Sequence, residues 1–288
     1  SSWLSFGICI GNFLYLGAPK AGSTWAYNIL QRHPLAFVPA AKDIYFFDRN
    51  YNRGHDWYLR HFRRADERHE IIGEFSHDYL YSAVSAARIR EFSKDIKLVA
   101  VLRNPIDRAV SEIGFFARNG ENVTNLDRLI DHYPEIIEKS LYTHHVKRFD
   151  EVFSPNRVHV LFYDDLQENP SEFAATFFDL IGLPPLSGMD VGARANAAAQ
   201  PRAKWLARGA KKVAIGLREL GATELVGRVE ASRVVKRMLY QSGSPDLSAH
   251  RETLVRKYGD IFLNDISALQ EYLGRALPDW RRSLGASE

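Results

Sequence analysis

Two glycines, a lysine and two hydroxyls crowd into one stretch of the chain, Gly17-Ala-Pro-Lys20-Ala21-Gly22-Ser23-Thr24. Residues of these types hold an anion: glycines let backbone amides approach a phosphate, lysine brings a mobile positive charge, and hydroxyls donate hydrogen bonds. Gly17 and Gly22 fit the G-x-x-x-x-G of a nucleoside triphosphate loop, but the next position is Ser23, where that motif requires lysine. Lys20 lies inside the loop instead. A triphosphate site aims its lysine at the β- and γ-phosphates, so the displaced Lys20 points to a different, shorter anionic ligand. For this loop alone, a tight strand–helix turn with a solvent-facing lysine is the alternative.

A second pair, Arg103 and Ser111, suits another phosphate. Arg103 ends the apolar run Lys97–Leu102, and Ser111 lies on the second turn of a helix that Pro105 can open. Together with the Lys20 loop this describes a nucleotide with anionic groups at both ends. The histidines, including His144-His145, lack a ligand set with metal spacing, and no metal is expected. Asp164-Asp165 reads as a magnesium pair or, preferably, as a strand-end turn and helix cap. Glu74 is either a second acid or a structural hydrogen-bond acceptor.

These residues need elements to place them. Phe13–Leu16, Glu70–Ser76, Lys97–Leu102 and Arg157–Tyr163 read as buried strands, and Phe37–Pro39 as a short extended piece. Helices are expected over Trp25–Arg32, Asp56–Phe62 with Asp56 as cap, Ala83–Phe92, Pro105–Arg118, Asn125–Phe153 with a break at Pro134, and Ser171–Ile181 closed by Gly182. Strands alternating with helices predict an α/β fold, a central and mostly parallel sheet covered on both faces. The Gly17–Thr24, Ser76–Tyr79 and Arg103–Ser111 loops should then emerge at one edge, the carboxyl ends of the strands, where ligands bind. Beyond Gly188 two basic amphipathic helices are expected, roughly 204–220 and 223–240, and a last helical pair ends near Trp280.

Composition sets the outer limits. The 288 residues suit one large domain, and 45% hydrophobic with 25% charged content is ordinary for a globular protein. A single cysteine, Cys9, excludes an internal disulfide framework and fits a reducing, cytoplasmic setting. Net charge is only +3, yet residues 201–240 hold ten Lys or Arg against three Glu. That bias suggests a solvated helical face or a polyanionic partner. The apolar opening, Ser1–Ile10, lacks a basic leader region and is shorter than a span, so no stable membrane insertion is expected. Nothing points to nucleic acid.

The run GAPKAGSTW followed by VLRNPIDRAVSEIGFF resembles the two nucleotide-binding signatures of sulfotransferases that use 3′-phosphoadenosine 5′-phosphosulfate. KDIYFFD, GHDWYLRHF, the GE-x-S-x-x-YL pattern at Gly73–Leu80 and the YDDL-x-x-NP run at Tyr163–Pro170 also resemble that family, in its bacterial and heparan-sulfate-type branches. Only about 203–245 lies outside the resemblance, which implies a single P-loop-like domain over 1–288 with a helical insertion covering the acceptor site. It implies that Lys20, Ala21, Gly22, Ser23 and Thr24 grip the 5′-phosphosulfate and that Trp25 stacks on adenine. It further implies that Arg103 and Ser111, helped by Arg202, bind the 3′-phosphate. Asp43, in Lys42-Asp-Ile-Tyr-Phe-Phe-Asp48, falls where the heparan-type enzymes carry a glutamate base. An unperturbed aspartate titrates near ~3.9 and a histidine near ~6.5, which favours His77. Desolvation by Tyr45, Phe46 and Phe47 would narrow that gap, and the closer branch tips the balance slightly towards Asp43. His77 falls where cytosolic members carry a catalytic histidine, and Asp48, with Tyr45, is placed on the acceptor side. Phe75 replaces a lysine that the heparan branch carries there, so one phosphosulfate contact is missing. The expectation is a sulfuryl transfer to a hydroxyl, or secondarily an amine, of a glycan, glycolipid or small metabolite, without a metal, giving adenosine 3′,5′-bisphosphate. A P-loop nucleotide kinase and a non-catalytic polyanion-binding protein are the alternatives. The acceptor and the oligomeric state are not legible.

Overall fold

The computed structural model describes residues 11–186, 188, 199–201, 240–242 and 246–285. Its centre is a parallel sheet of strands β1 (Phe13–Gly17), β2 (Ala36–Phe37), β3 (Ile71–Phe75), β4 (Lys97–Leu102) and β5 (Val158–Phe162), in the order β2-β3-β1-β4-β5. Every residue of β1 and β3 is buried, as the continuous apolar runs require of strands covered on both faces. β1 pairs with β3 in the register Phe13–Gly73 and with β4 in the register Phe13–Lys97. The chain moves from β1 to one side, then crosses back to β4 and β5, so the strand order reverses at β1. Loops leaving β1, β3 and β4 therefore diverge around a crevice at their carboxyl ends.

Helices α1 (Ser23–Gln31), α2 (His55–Leu59), α3 (Ser85–Phe92), α4 (Pro105–Arg118), α5 (Leu126–His132), α6 (Glu135–Glu138), α7 (Thr143–Val152), α8 (Tyr163–Glu168) and α9 (Pro170–Ile181) surround the sheet. Several ends follow local rules. Asn104 accepts from the amides of Ile106 and Asp107 ahead of Pro105, Asn169 accepts from Glu172 N, and Gly182 closes α9 in the left-handed region. Aromatic rings knit the layers: Phe13 meets Phe177 of α9 edge-on at 6.0 Å, and Phe46 stacks on Tyr58 at 4.5 Å.

Some sequence expectations shift. The 56–62 helix starts one residue earlier after Gly54 and tightens into a 3-10 turn at Arg60–Phe62, with Asp56 inside its first turn rather than capping it. The 125–153 region breaks twice, at Pro134 and again between Glu138 and Thr143. Asp164 and Asp165 sit in the first turn of α8, beyond the strand end. The expected terminal helical pair is one 26-residue helix, Ser248–Leu273, followed by a 3-10 turn at Arg282–Leu284. Asp265 on that long helix accepts from the amides of Tyr142 and Thr143 and so fixes the start of α7. Two short strands, β6 (Ala199–Pro201) and β7 (Tyr240–Ser242), pair antiparallel. Cys9, Arg202 and the expected basic helices lie outside the described residues.

Candidate active site

The phosphate-type loop runs from the end of β1 into α1. Gly22 has φ 86° and precedes the helix; a Cβ there would lie 2.8 Å from Leu166 and 3.1 Å from Tyr163, so any side chain is excluded by conformation and by space. Gly17 is hemmed in the same way by the His77 carbonyl, 2.8 Å from where its Cβ would lie. The first amides of α1, including those of Ser23 and Thr24, have no preceding helical carbonyl to bond.

Three cations meet around this turn. Lys20 sits with Nζ 3.5 Å from the centre of the Phe115 ring. Burial lowers its pKa to about 8, with the nearby Glu112 carboxylate opposing that shift. Arg103 donates from Nη1 to the Lys20 carbonyl at 3.0 Å and lies over the Tyr163 ring at 4.7 Å. Its Nε is buried without a hydrogen-bond partner among the described residues, a donor an anionic ligand can answer. Lys42 is the third, and the sequence reading passed over it: Nζ donates to Thr24 Oγ1 at 2.7 Å and approaches Ser23 Oγ at 3.4 Å. Phe75, standing where a lysine was expected, is buried in the core and stacks on Tyr15 at 4.9 Å. Lys42 therefore brings to the loop hydroxyls a charge that Phe75 does not. Ser111, half-buried, lies one helical turn before Phe115 and so on the face of α4 that meets Lys20. Ala21 is buried. Trp25 is only 8% exposed and meets Phe173 edge-on at 5.5 Å, in the contact between α1 and α9.

The two candidate bases are neighbours. His77 Nδ1 lies 2.8 Å from Asp43 Oδ1, and Tyr45 OH bonds His77 Nε2 at 3.1 Å. Burial, and then the Asp43 charge, raises the Tyr45 pKa well above its usual value, so its hydroxyl stays protonated and donates to the ring. The segment carrying Asp43 and Tyr45 is strained, with φ of 64° and 52°. It is held against β3 by Asp43 N to Phe75 O at 2.8 Å and by Tyr45 N to Ser76 Oγ at 3.0 Å.

Behind it lies Glu74, 1% exposed and hence out of reach of any substrate. Its carboxylate accepts from Ser76 Oγ at 3.0 Å and from Tyr79 OH at 2.6 Å, while Tyr79 OH accepts from Phe47 N at 3.3 Å. This is the structural role of the two considered for Glu74. Asp48 accepts from Arg49 N at 2.7 Å, and burial raises its pKa against the nearby Arg49 charge. Arg49 reaches from over the Tyr45 ring to Asp78, which Lys139 also holds at 2.6 Å. Asp48 is paired with the same Arg49, at 3.6 Å.

A further layer supports Arg103. Tyr142 OH donates to its carbonyl at 2.7 Å, and Asn104 Nδ2 bonds Ser283 Oγ at 2.7 Å. Trp280, 1% exposed, donates from Nε1 to Asp164 Oδ2 at 3.0 Å. Asp164 is thereby committed to the indole, and no cluster of residues able to hold a metal occurs among the described residues. No local pattern links residues 142 and 280 to Arg103; only the folded chain does.

The same segments carry the likeness to known proteins. The sulfotransferase domain profile matches residues 11–191. Membrane-associated sulfotransferase kil1 of Dictyostelium discoideum is 29% identical over 158 residues, covering 52% of this chain and 33% of that protein. Human heparan sulfate glucosamine 3-O-sulfotransferase 5 is 26% identical over 186 residues, covering 60% of this chain and 53% of that one. The chain thus spans between a third and about half of the length of these relatives. A crystal structure of a sulfotransferase from Alicyclobacillus acidocaldarius shares the fold, with a TM-score of 0.66 at 20% identity over 96% of this chain and 100% of the other. Among the described residues no helix is long and apolar enough to cross a membrane. The profile takes in the Lys20 loop, the Asp43–Asp48 segment, His77 and the Arg103 helix start, and the chain belongs to the sulfotransferase domain family.

Proposed function

We propose that the protein transfers a sulfuryl group from 3′-phosphoadenosine 5′-phosphosulfate to a hydroxyl of a glycan, glycolipid or small hydroxylated metabolite, with an amine as the second choice of acceptor. The observation that carries this is the convergence of Lys20, Lys42 and Arg103 on the α1 N-terminus with the Asp43–His77 pair alongside. The donor supplies an activated sulfur–oxygen bond. Lys20 and the first amides of α1 hold its 5′-phosphosulfate, and Lys42 with Ser23 and Thr24 completes that grip. Arg103 and Ser111 take the 3′-phosphate. Tyr45 and Asp48 line the acceptor side.

The Asp43–His77 pair removes the acceptor's proton as its oxygen bonds to sulfur, and the bond from sulfur to the phosphate oxygen breaks. The charge left on that phosphate oxygen is met by Lys20, which needs no metal to do so. A glycan acceptor is in keeping with the relative named for heparan sulfate glucosamine.

The test compares thermal stabilisation by adenosine 3′,5′-bisphosphate with that by ATP and magnesium, in the wild type and in Lys20→Ala. A shift specific for the bisphosphate and lost in the variant is expected. A shift with ATP and magnesium alone would overturn the reading in favour of a kinase. Transfer of labelled sulfate to a panel of hydroxylated acceptors then identifies the class.

A further inference from the structure

The described surface holds a second basic site, whose arginines lie on segments that precede strands β2 and β3. A cleft of about 450 Å³ opens beside the edge strand β2. One wall is the turn from the end of α1 into β2, including Arg32; the other is the 60–69 segment, with Arg60, Arg63, Arg64 and Arg68. No acidic residue lines it among the described residues. Because β2, β3 and β1 are parallel, the residues preceding β2 and β3 lie at the amino ends of the strands. Arg32 follows the C-terminal end of α1, which is nine residues long and so sets this arginine about 13 Å from the Lys20-loop end of the helix at 1.5 Å per residue; Val38 and Ala40 extend the lining past β2.

The walls are fixed. Leu35 O accepts from Glu70 N at 2.8 Å and Ile71 N at 3.1 Å, and the rings of Phe37 and His69 meet edge-on at 5.5 Å. Arg68 is anchored as a fork on Asp66, with Nε to Oδ1 at 3.1 Å and Nη2 to Oδ2 at 2.7 Å. Two of the lining histidines are engaged or held neutral. His33 accepts from Leu35 N at Nδ1, which leaves Nε2 to donate to Pro184 O at 3.0 Å. His61 titrates down at about 4, through burial and then the Arg63 charge. The lasting charge in the cleft comes from its guanidinium groups, which stay charged at every working pH and grip phosphate or sulfate through paired N–H donors.

We propose that this cleft binds a compact polyanion, a small molecule carrying two or more phosphate or sulfate groups, independently of the donor site. One anionic group engages only one wall; two or more use Arg32 and the Arg60–Arg64 set together. The volume is that of a small-ligand site, and its concavity suits neither a flat bilayer nor a duplex. The competing explanation is that the arginines only shield an exposed edge strand from pairing with another chain.

Calorimetric titration of the full chain at physiological salt tests this, with tripolyphosphate and sucrose octasulfate as probes and Lys20→Ala as background so that the donor loop is disabled. One equivalent of a probe should bind in Lys20→Ala, and the added substitutions Arg60→Gln and Arg63→Gln should weaken it about ten-fold or more. With Lys20 intact, Arg60→Gln/Arg63→Gln should leave adenosine 3′,5′-bisphosphate binding unchanged. Preference for tripolyphosphate would assign the cleft to phosphates, and preference for the octasulfate to sulfated sugars. Absence of binding in the Lys20→Ala background overturns the proposal. So does a variant that loses solubility yet keeps its affinity for the probe, since the arginines would then protect the edge and nothing more.

Discussion

His77 Nδ1 lies 2.8 Å from Asp43 Oδ1, so the two groups that compete for the role of base in the sequence form one unit in the fold. The other ring nitrogen, Nε2, accepts from Tyr45 OH at 3.1 Å, so both nitrogens of His77 have a polar neighbour. Asp43→Asn and His77→Gln should each lower kcat by about 10²- to 10⁴-fold, the range for general-base catalysis. The double variant should be little worse than the poorer single one, because groups acting as a unit are not additive. Bisphosphate affinity should hold throughout. Losses that multiply would show two independent roles.

Lys20 gives donor binding an alkaline limit. Burial lowers its pKa to about 8, so it is an ammonium below that pH and an amine above it, and only the ammonium attracts a phosphate. Affinity for adenosine 3′,5′-bisphosphate should fall about five-fold or more from pH 7 to pH 9.5 as the proton leaves. Titrations at several pH values measure this, and a flat profile contradicts it.

Lys42 should matter to the donor although it lies outside the glycine loop. Its ammonium reaches Thr24 Oγ1 at 2.7 Å, and a hydrogen bond involving a charge contributes about 1.5–3 kcal/mol. Lys42→Met should weaken bisphosphate binding by roughly ten-fold or more, with Lys42→Arg recovering part of the loss. Equal affinity in wild type and Lys42→Met would remove it from the site.

Glu74 predicts a slope of stability with pH. Burial raises its pKa from 4.5 to about 7, with the hydroxyls of Tyr79 and Ser76 opposing the shift. The folded pKa is above the unfolded one, so the folded state binds more protons between these values. Its contribution is fully present below about pH 4.5 and is lost as pH rises through about 7. The amount is on the order of 3 kcal/mol across that window. Denaturant titrations of wild type and Glu74→Gln should diverge by that trend between pH 5 and pH 8. A constant difference would show that Glu74 does not titrate there.

Much of this was legible in the sequence because it is local. The apolar run Lys97–Leu102 followed by Pro105 specifies a buried strand and the start of a helix, and both occur at those bounds. The strand–helix alternation is enough to put the Gly17, Ser76 and Arg103 loops at one edge of a parallel sheet. Helix continuity was less legible: Ser248–Leu273 runs as one element, sustained by packing against the core at Leu254, Phe262, Ile266 and Leu269.

What the sequence by itself determined was the strand–glycine loop–helix turn that carries Lys20, Ser23 and Thr24, since glycine, lysine and hydroxyl positions within one turn need no distant partner. Only the tertiary structure decided how the other groups join it. Asp43 meets His77 because Ser76 and Tyr79, both bonded to the buried Glu74, hold the strained 43–47 segment against the end of β3. Arg103 is braced by Tyr142, and Lys42 is delivered to Thr24, across gaps in sequence that no periodicity spans. Side-chain hydrogen bonds between segments far apart in the chain depend on sheet order and register, and those are fixed when the whole core closes.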